Sequence, residues 1–167
     1  NYDSTALIDD GSCQYAITFQ VDMNQYGLAA GDGVYLNGTY NGWCGACNAM
    51  DDTDADGIYT FTVNLTEGTQ EYKFTVNGWT DQEFFDGTES CTTDPAEYVN
   101  RVITVDGNAT LPVVCWNSCE ACPVYGCTDA TACNYAPGAD TEDGSCYYCC
   151  ADLGRDFAGD GLEQGIG

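Results

Sequence analysis

The sequence has very little positive charge. Among 167 residues there are three lysine and arginine residues and no histidine, against 27 aspartates and glutamates, giving a net charge of −24. Because phosphate groups are bound by clustered lysine and arginine, we exclude a nucleic-acid-binding protein and disfavour an anionic membrane surface as partner. The lack of histidine excludes Ser-His and Cys-His catalysis, and no pocket-forming architecture is indicated, so we predict a non-enzymatic protein. Divalent cations are the natural counter-charge, although high acidity also serves solubility alone.

Long apolar runs and helical periodicity are also lacking. No signal peptide or membrane-spanning segment is recognisable, so we expect no membrane insertion and a mature form or a fragment. Three Asn-x-Thr sequons, at Asn37, Asn64 and Asn108, are candidate glycosylation sites and are compatible with secretion.

Cysteine, in contrast, is abundant, with twelve residues. The spacing of Cys44-x-x-Cys47 and Cys119-x-x-Cys122 is also that of zinc ribbons, but so many cysteines favour an oxidising extracellular or cell-surface setting and therefore disulfides. The predicted disulfide-forming residues are Cys13, Cys44, Cys47, Cys91, Cys115, Cys119, Cys122, Cys127, Cys133, Cys146, Cys149 and Cys150.

Apolar and polar residues alternate with period two along the middle of the chain, which is the pattern of β-strands. Turn dipeptides such as Glu67-Gly68, Asn77-Gly78 and Asp106-Gly107 separate the alternating segments. Several short strands with regular turns predict an all-β antiparallel sandwich. The predicted strands include residues 17–23, 34–36, 59–65, 72–76, 99–105 and 111–116.

An internal repeat brackets this region. Residues 1–15 and 134–148 are identical at eight of fifteen positions, and only the second copy is preceded by a further cysteine-containing half, residues 126–133. We therefore predict four segments: a partial Cys/Asp repeat at 1–15, the sandwich at 16–123, a Cys/Asp-rich repeat at 124–150, and a Gly-rich tail or linker at 151–167.

Two tryptophans stand out because each follows an Asn-Gly turn, Trp43 after Asn41-Gly42 and Trp79 after Asn77-Gly78. Flat aromatic rings at loop edges can pack on the C–H face of a sugar, while polar side chains bind its hydroxyl groups. The alternative is that both rings are partly buried at the rim of the sandwich, since tryptophan is usually well buried.

Three segments resemble, in this order, the glycogen- and starch-binding module family: Gly38–Trp43, Glu71–Trp79 and Val99–Val105. The resemblance implies an immunoglobulin-like, early-set sandwich that binds α-glucan. Carried over by motif, the carbohydrate-binding residues are Trp43, Lys73, Trp79 and Asn100. The segment Cys44–Cys47, directly after Trp43, departs from the family pattern.

An acidic loop between the two tryptophans has alternate carboxylates, Asp52, Asp54 and Asp56, followed by Gly57. This is the pattern of a calcium loop, but an EF-hand is rejected because its twelfth position is Val63 rather than glutamate. A simpler calcium loop and a metal-free acidic hairpin turn both remain open.

The C-terminal repeat, Gly126–Cys146, resembles short repeats of secreted bacterial surface proteins. So short a segment cannot bury a hydrophobic core and needs covalent cross-links such as disulfides. Two disulfides could come from Cys127, Cys133, Cys146 and either Cys149 or Cys150, and calcium could bind Asp129, Asp140 and Asp143.

Two functional hypotheses follow, both for an extracellular or cell-surface protein. The first is a structural or adhesive subunit of an appendage or fibre, in which the partial N-terminal repeat binds a neighbouring copy head-to-tail. In the alternative explanation of that segment, the N-terminal boundary is arbitrary and Cys13 pairs inside the domain. The second functional hypothesis is a carbohydrate-binding accessory module of a secreted multidomain protein, with a glycan as partner.

Overall fold

The computed structural model describes residues 13–93 and 98–149. The chain divides into two compact units, Asn1–Cys122 and Pro123–Gly167. Most of the N-terminal repeat, Cys150 and the Gly-rich tail lie outside the described residues. The predicted four-segment partition therefore stays a prediction.

Apart from one 3₁₀ turn, all regular secondary structure in the described part of the first unit is β-strand, which confirms the predicted all-β sandwich. Its strands are β1 Gln14–Asp22, β2 Val34–Gly38, β3 Ile58–Thr66, β4 Gly68–Val76, β5 Asp81–Gln82, β6 Arg101–Val105, β7 Ala109–Thr110 and β8 Val114–Cys115, with a 3₁₀ turn at Thr39–Asn41. Within the described part of the chain, no helical segment is long and apolar enough to cross a lipid bilayer.

The strands form two four-stranded sheets. In one sheet, β1 pairs antiparallel with β3 along its whole length, from Gln14 opposite Thr66 to Asp22 opposite Ile58. The short strands β7 and β8 run parallel to β1, a detail that the antiparallel prediction misses. In the other sheet, β4 is central, with β2 along one side and β5 and β6 along the other.

The core lies between the inward faces of these strands. On β1 and just after it, Ile17, Phe19, Val21 and Met23 are each at most 2% exposed, as period-two alternation predicts. The buried core also contains Val34, Leu36, Met50, Leu65, Tyr72, Phe74, Val76 and Val105. Burial of this apolar surface is the main driving force for folding of the unit.

The sequence prediction is wrong about the second face of β4, the one that points away from the core. Alternation predicts that Lys73 and Thr75 face away from the core into solvent, yet they are 7% and 0% exposed. Side chains and loops cover this face, including the segment after β2, where Gly45 is hydrogen-bonded to the buried Asn37 side chain. The amide of Asn37, on the neighbouring strand β2, donates a 2.9 Å hydrogen bond to the Thr75 hydroxyl.

A buried ion pair, which sequence reasoning missed, ties β6 to the segment after β5. The Arg101 guanidinium lies 2.5 Å from the Glu83 carboxylate, with both side chains at most 1% exposed. The guanidinium also lies over the rings of Phe74 and Phe85, at 5.3 and 4.9 Å from their centroids. Burial by itself would lower the pKa of Arg101, but hydrogen bonds and charge from Glu83 raise it, so the arginine keeps its charge.

The cysteines of the first unit form disulfides rather than zinc sites. Cys44 pairs with Cys47, Cys91 with Cys119, and Cys115 with Cys122. With these pairs complete, Cys13 has no disulfide partner among the described residues. The expectation that Cys13 pairs inside the domain is therefore wrong.

The second unit contains two short parallel strands, β9 Tyr125–Gly126 and β10 Thr141–Glu142. Its disulfides join Cys127 to Cys146 and Cys133 to Cys149. Only Cys127 and Ala132 are buried apolar residues in the described part of this unit. Disulfides thus take the place of a core there, as expected for so short a segment.

Candidate functional site

A cavity of about 750 Å³ opens on the β4 sheet of the first unit. It contains all four residues that the family resemblance indicated and four that sequence reasoning missed. The lining residues are Trp43, Glu71, Lys73, Trp79, Gln82, Thr93, Tyr98 and Asn100. We call this the aromatic cavity.

The two tryptophans form one wall of the aromatic cavity. Their ring centroids are 6.4 Å apart with an interplanar angle of 39°, and Trp79 Nε1 donates a 3.3 Å hydrogen bond to the Trp43 carbonyl oxygen. Trp79 is 43% exposed and Trp43 is half-buried. Both are therefore rim residues, as the alternative interpretation held, but they also present ring surface to the cavity.

Local turn chemistry places these rings. Asn77 and Gly78 adopt positive φ angles of 49° and 72°, which reverse the chain after β4 and present Trp79. On the other side, the Asn41 side chain accepts hydrogen bonds from the backbone N–H groups of Gly38 and Trp43, at 3.0 and 3.1 Å. In this first turn Gly42 and Trp43 have positive φ angles of 62° and 58°, and Asn41 contributes through its side chain. In the second turn both Asn77 and Gly78 are in the left-handed region, which these residue types tolerate.

Lys73 is buried on β4 and lines the cavity. Its side-chain ammonium forms no hydrogen bond or ion pair with any of the described residues. Burial lowers the pKa of Lys73, and the charge of Glu83 partly counteracts that shift. An ammonium with so few protein partners is a strong hydrogen-bond donor for a ligand in the cavity.

Asn100 is held in one orientation at the opposite side of β4. Its Nδ2 donates a 2.9 Å hydrogen bond to Glu71 Oε2, and its backbone carbonyl accepts one from the Thr93 N–H at 2.9 Å. The side chain is 8% exposed. Glu71 thus determines which way the amide of Asn100 points.

The four cavity residues that sequence reasoning missed differ in whether the sequence pattern could have indicated them. Glu71 lies two positions from Lys73 on β4, and Tyr98 lies two positions from Asn100, so alternation could have placed each beside a predicted residue. Tyr98 is 72% exposed, which makes it the most accessible aromatic ring of the cavity. Gln82 and Thr93 reach the cavity through tertiary packing alone and carried no sequence signal.

The loop of residues 51–57, here called the acidic hairpin, brings three predicted metal ligands together. One carboxylate oxygen from each of Asp52, Asp54 and Asp56 lies within 4.8 Å of the others, so the group could hold a metal ion. Two of these carboxylates also accept hydrogen bonds from the hairpin itself. Asp52 accepts the N–H of Asp56 at 3.0 Å, and Asp56 accepts that of Ile58 at 2.7 Å. Calcium binding here stays a prediction.

In the second unit, the predicted ligands Asp129, Asp140 and Asp143 are not among the convergent carboxylate groups of the described residues. Each instead accepts a backbone N–H, from Thr131, Val124 and Ser145 respectively. Asp129 and Asp143 thereby stabilise local turns, whereas Asp140 joins two segments that are sixteen residues apart. Calcium binding by these three residues stays a prediction.

The prediction of a glycosylation site at Asn37 is wrong, because this side chain is 0% exposed and is hydrogen-bonded to Gly45 and Thr75. A glycan cannot be attached to it in the folded protein. Asn64 and Asn108 are exposed, and their glycosylation stays a prediction.

Fold and site together define a β-sandwich with an aromatic, polar-edged binding cavity, the arrangement of a carbohydrate-binding module. The family model described as the glycogen recognition site of AMP-activated protein kinase matches residues 26–111. Since the match covers just over half of the chain, the chain belongs to this family, whose members are non-catalytic, immunoglobulin-like binding domains. A comparison with curated proteins returned no match.

Proposed function

We propose that the first unit is a non-catalytic glycan-binding module whose ligand is an α-glucan held in the aromatic cavity. The observation that carries this proposal is the convergence of Trp43, Lys73, Trp79 and Asn100 on one cavity, from positions up to 57 residues apart in the chain. Family membership supports the glycan class, and the residues at the matching motif positions support the α-glucan.

Each lining group has a role that suits a neutral sugar. The rings of Trp43 and Trp79 provide apolar faces for the C–H face of a glucose unit. Lys73 donates to a hydroxyl group, and Asn100, held by Glu71, offers a fixed amide. The net charge of −24 repels anionic polysaccharides, which favours a neutral ligand.

The fibre hypothesis, ranked first on sequence grounds, gains no support from the described residues or from the family. It depended on the partial N-terminal repeat, most of which lies outside the described residues. The predicted extracellular setting is compatible with the many disulfides and remains part of the proposal.

Affinity electrophoresis through a gel containing glycogen or starch tests the proposal. We expect the wild-type chain to be retarded and both Trp43→Ala and Trp79→Ala to migrate as in a gel without glucan. Buried aromatic residues at the centre of an interface commonly contribute about 2 kcal/mol or more to binding.

The matched control is Phe84→Ala, which removes an aromatic ring that is 79% exposed on the same unit but does not line the cavity. This variant should be retarded like the wild type. Absence of retardation for the wild-type chain, or equal loss in Phe84→Ala, would overturn the proposal.

A further inference from the structure

The segment Cys44–Cys47, which departs from the family pattern, forms a loop closed by a disulfide between two exposed cysteines. It follows Trp43 directly in the chain. Its backbone folds back on itself through a hydrogen bond from the Ala46 N–H to the Cys44 carbonyl oxygen, at 3.2 Å. We call this segment the cystine loop.

Buried Asn37 holds the cystine loop against the sheet. Its Nδ2 donates to the Gly45 carbonyl oxygen at 2.9 Å, and its Oδ1 accepts the Gly45 N–H at 2.7 Å. The same Nδ2 donates to the Thr75 hydroxyl on β4. Because Asn37 is fully buried on β2 and is also hydrogen-bonded to Thr75 on the central strand β4, Gly45 is fixed to the sheet.

The Trp79 ring lies directly on this fixed point. A Cβ atom added to Gly45 would be 3.0 Å from Trp79 Cδ1 and 3.1 Å from Nε1, which is closer than ordinary van der Waals contact, and the φ of Gly45 is +86°, so any other residue would strain the backbone and require the ring to shift. The same Nε1 donates to the carbonyl oxygen of Trp43, the residue just before the loop. One side of the Trp79 ring therefore rests on the loop while the ring also lines the cavity.

We infer that the cystine loop is a positioning element for the glycan site: it fixes the orientation of Trp79 before ligand arrives. This inference rests on the proposed function. A ring that is already held in its binding orientation loses little rotamer freedom when a sugar stacks on it, so affinity is higher. The disulfide limits the conformations of the loop and thereby keeps the support rigid.

Gly45→Ala tests the inference, because the added methyl group requires the Trp79 ring to shift while every cavity-lining side chain is kept. Gly27→Ala is the matched control. Gly27 has a positive φ of 76°, close to the 86° of Gly45, but its added Cβ would meet nothing within 4 Å, and it does not line the cavity. We expect Gly45→Ala to weaken glucan binding about tenfold and Gly27→Ala to stay within about twofold of wild type, as for loss of preorganisation alone.

A second readout does not depend on binding. The chain has three tryptophans, so labelling with 5-fluorotryptophan should give three ¹⁹F NMR signals, assignable by Trp→Phe variants. Gly45→Ala should shift the Trp79 signal most. If the signal and the affinity of Gly45→Ala change no more than those of Gly27→Ala, the inference is wrong. If wild type binds no glucan but the Trp79 signal shifts as expected, the proposed function fails while the positioning contact stands.

The disulfide is tested by the double variant Cys44→Ser/Cys47→Ser, which also serves if Gly45→Ala does not fold. We expect several-fold weaker binding and a broadened Trp79 signal because the loop is no longer closed. The control, Cys133→Ser/Cys149→Ser, opens a disulfide of the second unit and should leave both readouts unchanged. Wild-type affinity together with a wild-type Trp79 signal in the Cys44→Ser/Cys47→Ser protein would overturn the inference.

Discussion

The aromatic cavity and the acidic hairpin, two polar surfaces of the first unit, use their side chains in opposite ways. The cavity collects groups from distant parts of the chain, and the ammonium of its one lysine has no hydrogen bond or ion pair with the described residues. In the hairpin, Asp52 and Asp56 accept backbone N–H groups from within five residues of themselves. Two of the three hairpin aspartates thus stabilise their own turn, whereas the cavity leaves polar groups for a ligand.

This difference shows which polar residues of an acidic protein indicate a ligand-binding site. A carboxylate that caps its own turn is explained by local backbone chemistry, so its presence alone does not indicate a ligand. Polar groups that lie beside exposed aromatic rings, on a sheet that holds them rigidly, have no such local explanation. The following experiments test that contrast, from the largest expected effect to the smallest.

Glu83→Gln should produce the largest change, because it leaves the Arg101 charge buried without its counter-ion. Removing one partner of a buried ion pair typically costs about 3–5 kcal/mol in the free energy of unfolding. Urea denaturation measures this loss. Asp54→Asn in the exposed hairpin is the control and should leave the unfolding midpoint unchanged. An equally small effect of both substitutions would show that the ion pair does not contribute measurably to the free energy of unfolding.

Lys73→Met should separate binding from stability. Loss of a charged hydrogen-bond donor to the sugar should cost about 1.5–3 kcal/mol of binding free energy, or roughly tenfold or more in affinity. The melting temperature should not fall, because methionine avoids burial of an ammonium group. Titration calorimetry and a thermal melt check the two parts. A lower melting temperature with unchanged affinity would assign Lys73 a purely structural role.

Tyr98→Ala should have a smaller effect, since Tyr98 is an exposed wall of the cavity. Aromatic contacts are worth about 0.5–1.5 kcal/mol, so we expect affinity to fall a few-fold. Tyr98→Phe, which keeps the ring, should restore most of it. Calorimetry distinguishes these outcomes, and equal affinities of the alanine variant and wild type would exclude Tyr98 from the site.

The acidic hairpin should not affect the glycan at all. Asp54→Asn/Asp56→Asn should bind glucan within about twofold of wild type, because surface substitutions away from the site usually have small effects. If calcium binds the hairpin, a chelator should lower the melting temperature of wild type by a few degrees and leave that of the variant unchanged. Melts that are identical with and without chelator would remove the metal prediction.

Much of the fold was accessible from sequence because strand alternation is local. The inward residues Ile17, Phe19 and Val21 are buried as their spacing predicts. The parallel pairing of β7 and β8 with β1 was not accessible, because two-residue strands carry no periodic signal. For the site, motif resemblance named four residues, which the structure places along one cavity, but Gln82 and Thr93 carried no such mark.

The sequence by itself determined the fold class and the family motifs, because side-chain direction alternates with backbone pleat wherever a strand forms. It also determined the strongly acidic net charge of −24. Only the tertiary structure decided that Lys73 and Thr75 are buried and that Glu83 forms an ion pair with Arg101. It also decided that the Asn37 side chain is buried and hydrogen-bonded to Gly45 and Thr75 rather than available for glycosylation. Those outcomes depend on which distant segment of the chain packs against each face of the sheet. The alternation of residues within one strand does not contain that information.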